Sequence, residues 1–288
     1  MSKPGAQEWY DGLIQHVVDL GVDFIKYDDI VPHPDEVEAV VKAIRKTGKP
    51  VVLSLSPGGT VDPNAINTFK RANMLRVTHD VWDDQRYIDE CFTAWRKWQG
   101  RENSGFWIDM DMIPFGQLQL MSPPGKEKQA QTSNEIAFSG KGTTRWCHLT
   151  KQQMKTFITM RALAASPLMM GGDLPTLDDF SYALITNPDM IACNQNGVMG
   201  SLKYEKGGLE TWRADKKGTA GEGWIGVFNR TDQETRFELT PEILGLGGSG
   251  CKLANIWSND VKTLGRTITL QPHDVLFMKY KEKQEIMK

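Results

Sequence analysis

Asp28 and Asp80 each stand where a short apolar run ends. Asp28 closes Val22-Asp23-Phe24-Ile25-Lys26-Tyr27-Asp28, and Asp80 closes Met74-Leu75-Arg76-Val77-Thr78-His79-Asp80. Two carboxylates facing one cavity are the minimum equipment for retaining glycoside hydrolysis, one as nucleophile and one as proton donor. Lys26 precedes Asp28 by two residues, on the same face of an extended strand, so its ammonium can keep Asp28 ionised. Asp80 must carry a proton when a leaving oxygen departs, which calls for apolar or anionic surroundings such as Trp82. Arg76 is placed to donate to sugar hydroxyls or to steady a carboxylate. Asp109 and Asp111 share a strand face and read equally as substrate contacts and as buried hydrogen-bonding groups. Plainer rivals exist. Asp28 also suits a strand-end turn, and Asp83 and Asp84 compete with Asp80 because either suits a helix N-cap.

The elements that must position these residues alternate in type. Residues 6–20 place Trp9, Leu13, Val17 and Leu20 at helical spacing, and Val22–Tyr27 reads as the strand that follows. Pro34-Asp35-Glu36 opens a second helix that Gly48 ends. Pro50–Ser54 is a nearly all-apolar second strand, as expected where both faces are covered. Met74–Thr78 is a third strand, residues 84–98 a strong helix, and Phe106–Ile108 a fourth strand. Residues 114–146 form a long loop with Pro123-Pro124-Gly125 and Gly140-Lys141-Gly142. A helix over 150–165 follows, then a fifth strand at Pro167–Met170 and a last helix over 176–186. Parallel strands alternating with helices in this way predict a (β/α) barrel, with chemistry at the carboxyl ends of the strands. Beyond Asn194-Gln195-Asn196-Gly197 come short alternating segments divided by glycine-rich turns, which predict an antiparallel β-sandwich. The expected domains are 1–196 and 197–288.

Composition narrows the function. Charged residues make up 24% of the chain and the formal net charge is −2, so no basic field exists to hold nucleic acid. No apolar run is long enough to span a membrane, and Met1–Gly5 lacks the apolar core of a signal peptide. The four cysteines have no CxxC spacing, and no His, Cys and Asp cluster has the spacing of metal ligands. Most of the nine tryptophans are expected in the core, though indole faces also suit sugars.

The ordered motifs resemble the melibiase-type α-galactosidases, glycoside hydrolase family twenty-seven. Lys26-Tyr27-Asp28, Arg76 with Asp80, Asp109-Met110-Asp111-Met112, Ala164-Ala165-Ser166-Pro167-Leu168-Met169 and Asn187-Pro188-Asp189-Met190-Ile191-Ala192-Cys193-Asn194-Gln195 carry the resemblance, from about residue 6 to 200. It implies that Asp28 is the nucleophile and Asp80 the general acid/base, with no cofactor and a carbohydrate substrate. It also implies that the spot after the second strand, at Ser54 and Ser56, contacts the substituent at carbon two of the sugar. Ser56 is small and leaves room for an N-acetyl group. The specificities to weigh are α-galactosidase, α-N-acetylgalactosaminidase and β-L-arabinopyranosidase, with a non-catalytic remnant as the alternative class. By the same resemblance, the last five strands of an eight-stranded barrel are expected here, and the first three are missing. Open strand edges then predict either self-association as a homo-oligomer or completion by an N-terminal segment.

Overall fold

A computed structural model describes residues 1–28, 33–59, 61–102, 105–120, 144–248 and 250–282 of the chain. Its contacts divide it into two compact units, residues 1–80 with 101–111, and residues 81–100 with 112–288.

The first unit is a parallel β/α layer. Helix α1 (Ala6–Asp19) leads into β1 (Phe24–Asp28), and α2 (Pro34–Thr47) leads into β2 (Val52–Ser56). A short helix α3 (Ile66–Phe69) precedes β3 (Met74–Arg76), and β4 (Trp107–Asp109) completes a four-stranded parallel sheet in the order β1-β2-β3-β4. Helix α2 forms where the sequence asks for it. Pro34 sits in the first turn with Asp35 and Glu36, and Gly48 closes the helix at φ 67, a left-handed conformation open to glycine. Its apolar stripe of Val37, Val40 and Val41 is buried. Leu55 and Leu75, level with each other on β2 and β3, are completely enclosed. Burial of each such side chain contributes about 1.5–3 kcal/mol.

Strand β2 runs two residues further than its apolar stretch predicts. Ser56 lies on the strand and not after it, because the pairing with β1 extends to Asp28 opposite Ser56. Leu53 and Leu55 take the other face, so the polar and apolar residues alternate with the pleat.

The second unit contains α4 (Gln85–Trp98), capped by the Asp84 side chain on the Arg86 amide. Short pairs follow: β5 (Met112–Ile113) runs parallel to β8 (Met169–Met170), and β6 (Gln117–Leu118) runs antiparallel to β7 (Arg145–Trp146). The expected fifth strand therefore pairs with β5 among the described residues. Within the expected loop at 114–146, residues 121–143 lie outside the described residues. Helix α5 (Lys151–Leu163) begins at a capping box formed by Thr150 and Gln153, and α6 (Asp179–Ile185) and α7 (Pro188–Gln195) follow.

Eight strands then form two layers. The larger has the order β14-β13-β16-β11-β10-β9, built from β9 (Ser201–Lys206), β10 (Leu209–Asp215), β11 (Glu222–Asn229), β13 (Cys251–Asn255), β14 (Val261–Lys262) and β16 (Val275–Glu282). The smaller pairs β12 (Thr235–Glu238) with β15 (Thr267–Leu270). Phe237 and Leu270 of the small layer share a core with Ile225 and Met278 of the large one. The outer face of the large sheet is also covered, since α5 packs on β11 and β16 and has Phe157, Ile158 and Leu163 buried. The boundary expected at 196/197 therefore falls inside the second unit. Fewer tryptophans than expected lie in the core: Trp95, Trp98, Trp212 and Trp224 are buried, with Trp95 stacked on Trp212 at 3.9 Å, while Trp9 and Trp146 are exposed. Among the described residues no helix is long and apolar enough to cross a membrane.

Among the described residues β1 is an end strand of the parallel sheet, and apolar side chains stand exposed on it, on α1 and at Leu20 just after α1. Leu20 is 72% exposed, Trp9 61%, Leu13 42% and Phe24 39%. An edge strand beside such a row is a template for association. Purified chain is expected to bind anilinonaphthalene sulfonate and to self-associate in sedimentation velocity. Phe24→Lys combined with Leu20→Lys should reduce both signals; a dye-silent monomer before substitution would contradict this reading.

Candidate active site

The parallel register sets polar side chains in a row. Lys26 lies level with Ser54, and Asp28 with Ser56. Leu55 lies level with Leu75, so one further step brings Ser56 level with Arg76, and Arg76 itself pairs in register with Asp109. Asp28, Ser56, Arg76 and Asp109 thus occupy one face at the carboxyl ends of β1 to β4. On the opposite face Leu55, Leu75 and Ile108 are buried. Period-two alternation therefore sets site and core on opposite faces of β2, β3 and β4, while Ile25 and Tyr27 on β1 are only half-buried.

Asp28 is open to solvent and electrostatically prepared. Its side chain is 61% exposed, and Lys26 Nζ lies 3.6 Å from Oδ1. Partial burial raises its pKa, but the Ser56 hydroxyl, Lys26 and Arg76 all lower it, and the net displacement is downward. Ser56 itself is enclosed, at 2% exposure, and its hydroxyl lies near the carboxylate without a hydrogen bond of good geometry. The proximity still favours the charged form of Asp28. Ser56 thus faces the carboxylate from an enclosed position on β2.

Asp80 lies four residues beyond the end of β3 and is tied back to it. Arg76 Nη1 donates to Asp80 Oδ1 at 2.8 Å and to Asp111 Oδ1 at 3.1 Å. The dry surroundings expected for Asp80 are not what the structure shows. Its side chain is 52% exposed and ion-paired, because the chain has left the buried strand before reaching it. Arg76 thus steadies two carboxylates at once.

Asp109 and Asp111 also make their described contacts within the protein. Asp109 is 6% exposed, and its Oδ1 accepts from the Asp111 amide at 2.8 Å. Asp111 has φ 69, a left-handed backbone uncommon outside glycine. Period-two spacing put both residues on one strand face, but β4 ends at Asp109 and Asp111 lies beyond it with a left-handed backbone, and spacing gave no sign that Asp111 shares Arg76 with Asp80. That link is tertiary, and the only local hint is that aspartate tolerates this backbone.

The rival aspartates separate cleanly. Asp84 is the N-cap of α4. Asp83 is 4% exposed and engaged by the Arg145 guanidinium at 2.5 Å and the His148 amide at 2.8 Å, a structural network away from solvent.

The likeness to known proteins has the same direction. No protein-family model matches the chain. The chain is 24% identical over 253 residues to an α-galactosidase of Cyamopsis tetragonoloba, covering 85% of this chain and 53% of that protein. It is 25% identical over 198 residues to α-galactosidase 2 of Arabidopsis thaliana, covering 67% and 42%. The chain spans about half the length of these curated relatives. Among solved structures, the β-L-arabinopyranosidase of family GH27 from Geobacillus stearothermophilus superposes with a TM-score of 0.84 at 29% identity, covering 99% of this chain and 63% of that one. The chain is a melibiase-type, GH27-like protein. A variant of the same Geobacillus enzyme, solved with arabinose, has the same TM-score. In this GH27-like frame the α/β layer and the β-sandwich are the parts of the fold that the likeness covers.

The environment of Asp28 is directly measurable. Its folded pKa lies below its unfolded one, so ionised Asp28 stabilises the fold above about pH 4, and that contribution is lost as pH falls through the folded value. Lys26→Met removes one of the causes. In carboxyl-carbon NMR the Asp28 midpoint should move upward in this variant; an unchanged or lower midpoint would contradict the assigned electrostatics.

Proposed function

We propose that this chain carries the catalytic face of a retaining glycoside hydrolase that removes terminal α-linked galactose, with Asp28 as nucleophile and Asp80 as general acid/base. The observation that carries the reading is the Asp28 carboxylate. It is solvent-accessible at a strand's carboxyl end, held ionised by Ser56, Lys26 and Arg76, with a second accessible carboxylate tethered to the same arginine.

The chemistry follows from that placement. Ionised Asp28 attacks the anomeric carbon while Asp80 protonates the departing glycosidic oxygen, forming a covalent glycosyl ester. Asp80, now a carboxylate, takes a proton from water as the water displaces Asp28, and the sugar leaves with its configuration retained. No step calls for a metal or an organic cofactor. Retention requires the two carboxyl groups to stand about 5–5.5 Å apart.

A second specificity has a specific observation in its favour. The Geobacillus neighbour acts on β-L-arabinopyranosides. That sugar shares the ring stereochemistry of α-galactose and lacks only its hydroxymethyl group. Ser56 keeps α-N-acetylgalactosaminides among the substrates to test. Binding without turnover is the reading from another class.

Hydrolysis of p-nitrophenyl α-galactoside, β-L-arabinopyranoside and α-N-acetylgalactosaminide by the purified chain ranks these readings. In the preferred substrate, Asp28→Ala should reduce turnover by about four orders of magnitude or more, and azide should restore part of it as glycosyl azide. Asp80→Ala should spare substrates with good leaving groups far more than alkyl glycosides. Equal losses on every leaving group would overturn the division of roles; sugar binding with no turnover would favour the non-catalytic reading.

A further inference from the structure

Arg76 is shared between two carboxylates in unequal settings. The side chains of Arg76 and Asp111 are 11% and 14% exposed, whereas that of Asp80 is 52% exposed. An ion pair is stronger where water is excluded, so the Asp111 arm is the firmer of the two. The Arg76 guanidinium reflects this: desolvation lowers its pKa, but Asp111 first and Asp80 second hold it above the ordinary value. Asp111 is set in place by its left-handed backbone, φ 69, and by the Asp109 carboxylate on its amide. A residue kept in an uncommon conformation by its neighbours invites a functional explanation.

We propose that Asp111 is a positioning residue for proton delivery, retaining Arg76 as Asp80 takes up its proton so that the guanidinium does not lock Asp80 in its charged form. The inference rests on the assignment of Asp80 as general acid/base and deepens it. When Asp80 gives its proton to the leaving oxygen, it becomes the second anion on Arg76. When the attacking water returns a proton to Asp80, Asp111 remains as the arginine's partner, and no bare guanidinium is left in the enclosed site. Asp109 adjoins the cluster through the Asp111 amide, Lys26 and Asp28 pair with each other on β1, and His79 precedes Asp80 in the chain. Asp28 itself feels Arg76.

Carboxyl-carbon NMR of the full chain labelled with carbon-13 aspartate reads Asp80 without need of turnover, its signal assigned by loss in Asp80→Asn. Asp111→Asn leaves Arg76 with Asp80 as its main anion, and the Asp80 midpoint should fall by about one pH unit. Arg76→Gln removes the shared cation, and the midpoint should rise above wild type. A midpoint that is unchanged or raised in Asp111→Asn overturns the proposal. So does an unchanged midpoint in Arg76→Gln, which keeps the proposal refutable even where Asp111→Asn fails to fold. A purely structural Asp111 would alter stability and leave the Asp80 titration in place. Both expected shifts in a protein without glycosidase turnover would count against the acid/base reading, and would leave the coupling among Asp111, Arg76 and Asp80 intact.

Discussion

In-register parallel pairing of β1 to β4 is the constraint on which the site depends. Because side chains level with one another on parallel strands point to one side, the register decides that Asp28, Ser56, Arg76 and Asp109 share a face. A slip of one residue would turn the whole set over and bring Leu55 and Leu75 to the site. The enclosed leucines resist such a slip, since each stands to lose about 1.5–3 kcal/mol of burial. The core thereby fixes the chemistry without touching it.

Within that row, burial is graded. Ser56, Asp109, Arg76 and Asp111 are largely enclosed, while Asp28 and Asp80 reach into solvent. Enclosed charges need partners, and each has one: Arg76 has Asp111, and Asp109 has the Asp111 amide. The accessible carboxylates are then free to meet a ligand while their fields are set from below. Downward displacement of the Asp28 pKa is the visible result.

Much of this was legible in the sequence where the signal is local. Gly48 stops α2, Asp84 starts α4 and Thr150 starts α5, because capping depends on residues a few positions apart. Lys26 beside Asp28 followed from strand alternation alone. What escaped depends on distant neighbours. Ser56 belongs to β2 because β1 pairs with it, and no apolar run announces it. Helix α7 read only as part of the Asn187–Gln195 motif. Asp80 was expected in a dry setting from the needs of its chemistry; the chain instead leaves the strand early and exposes it. The sharing of Arg76 between Asp80 and Asp111 required a tertiary contact that spacing does not encode.

The measurement that bears most directly on the account is mass spectrometry of the chain after reaction with an activated fluoro-galactosyl inactivator, which slows breakdown of a glycosyl ester. The account predicts one covalent sugar, located by peptide mapping on Asp28 and lost in Asp28→Ala. A sugar attached to any other carboxylate, or normal turnover by Asp28→Ala without added azide, would contradict it.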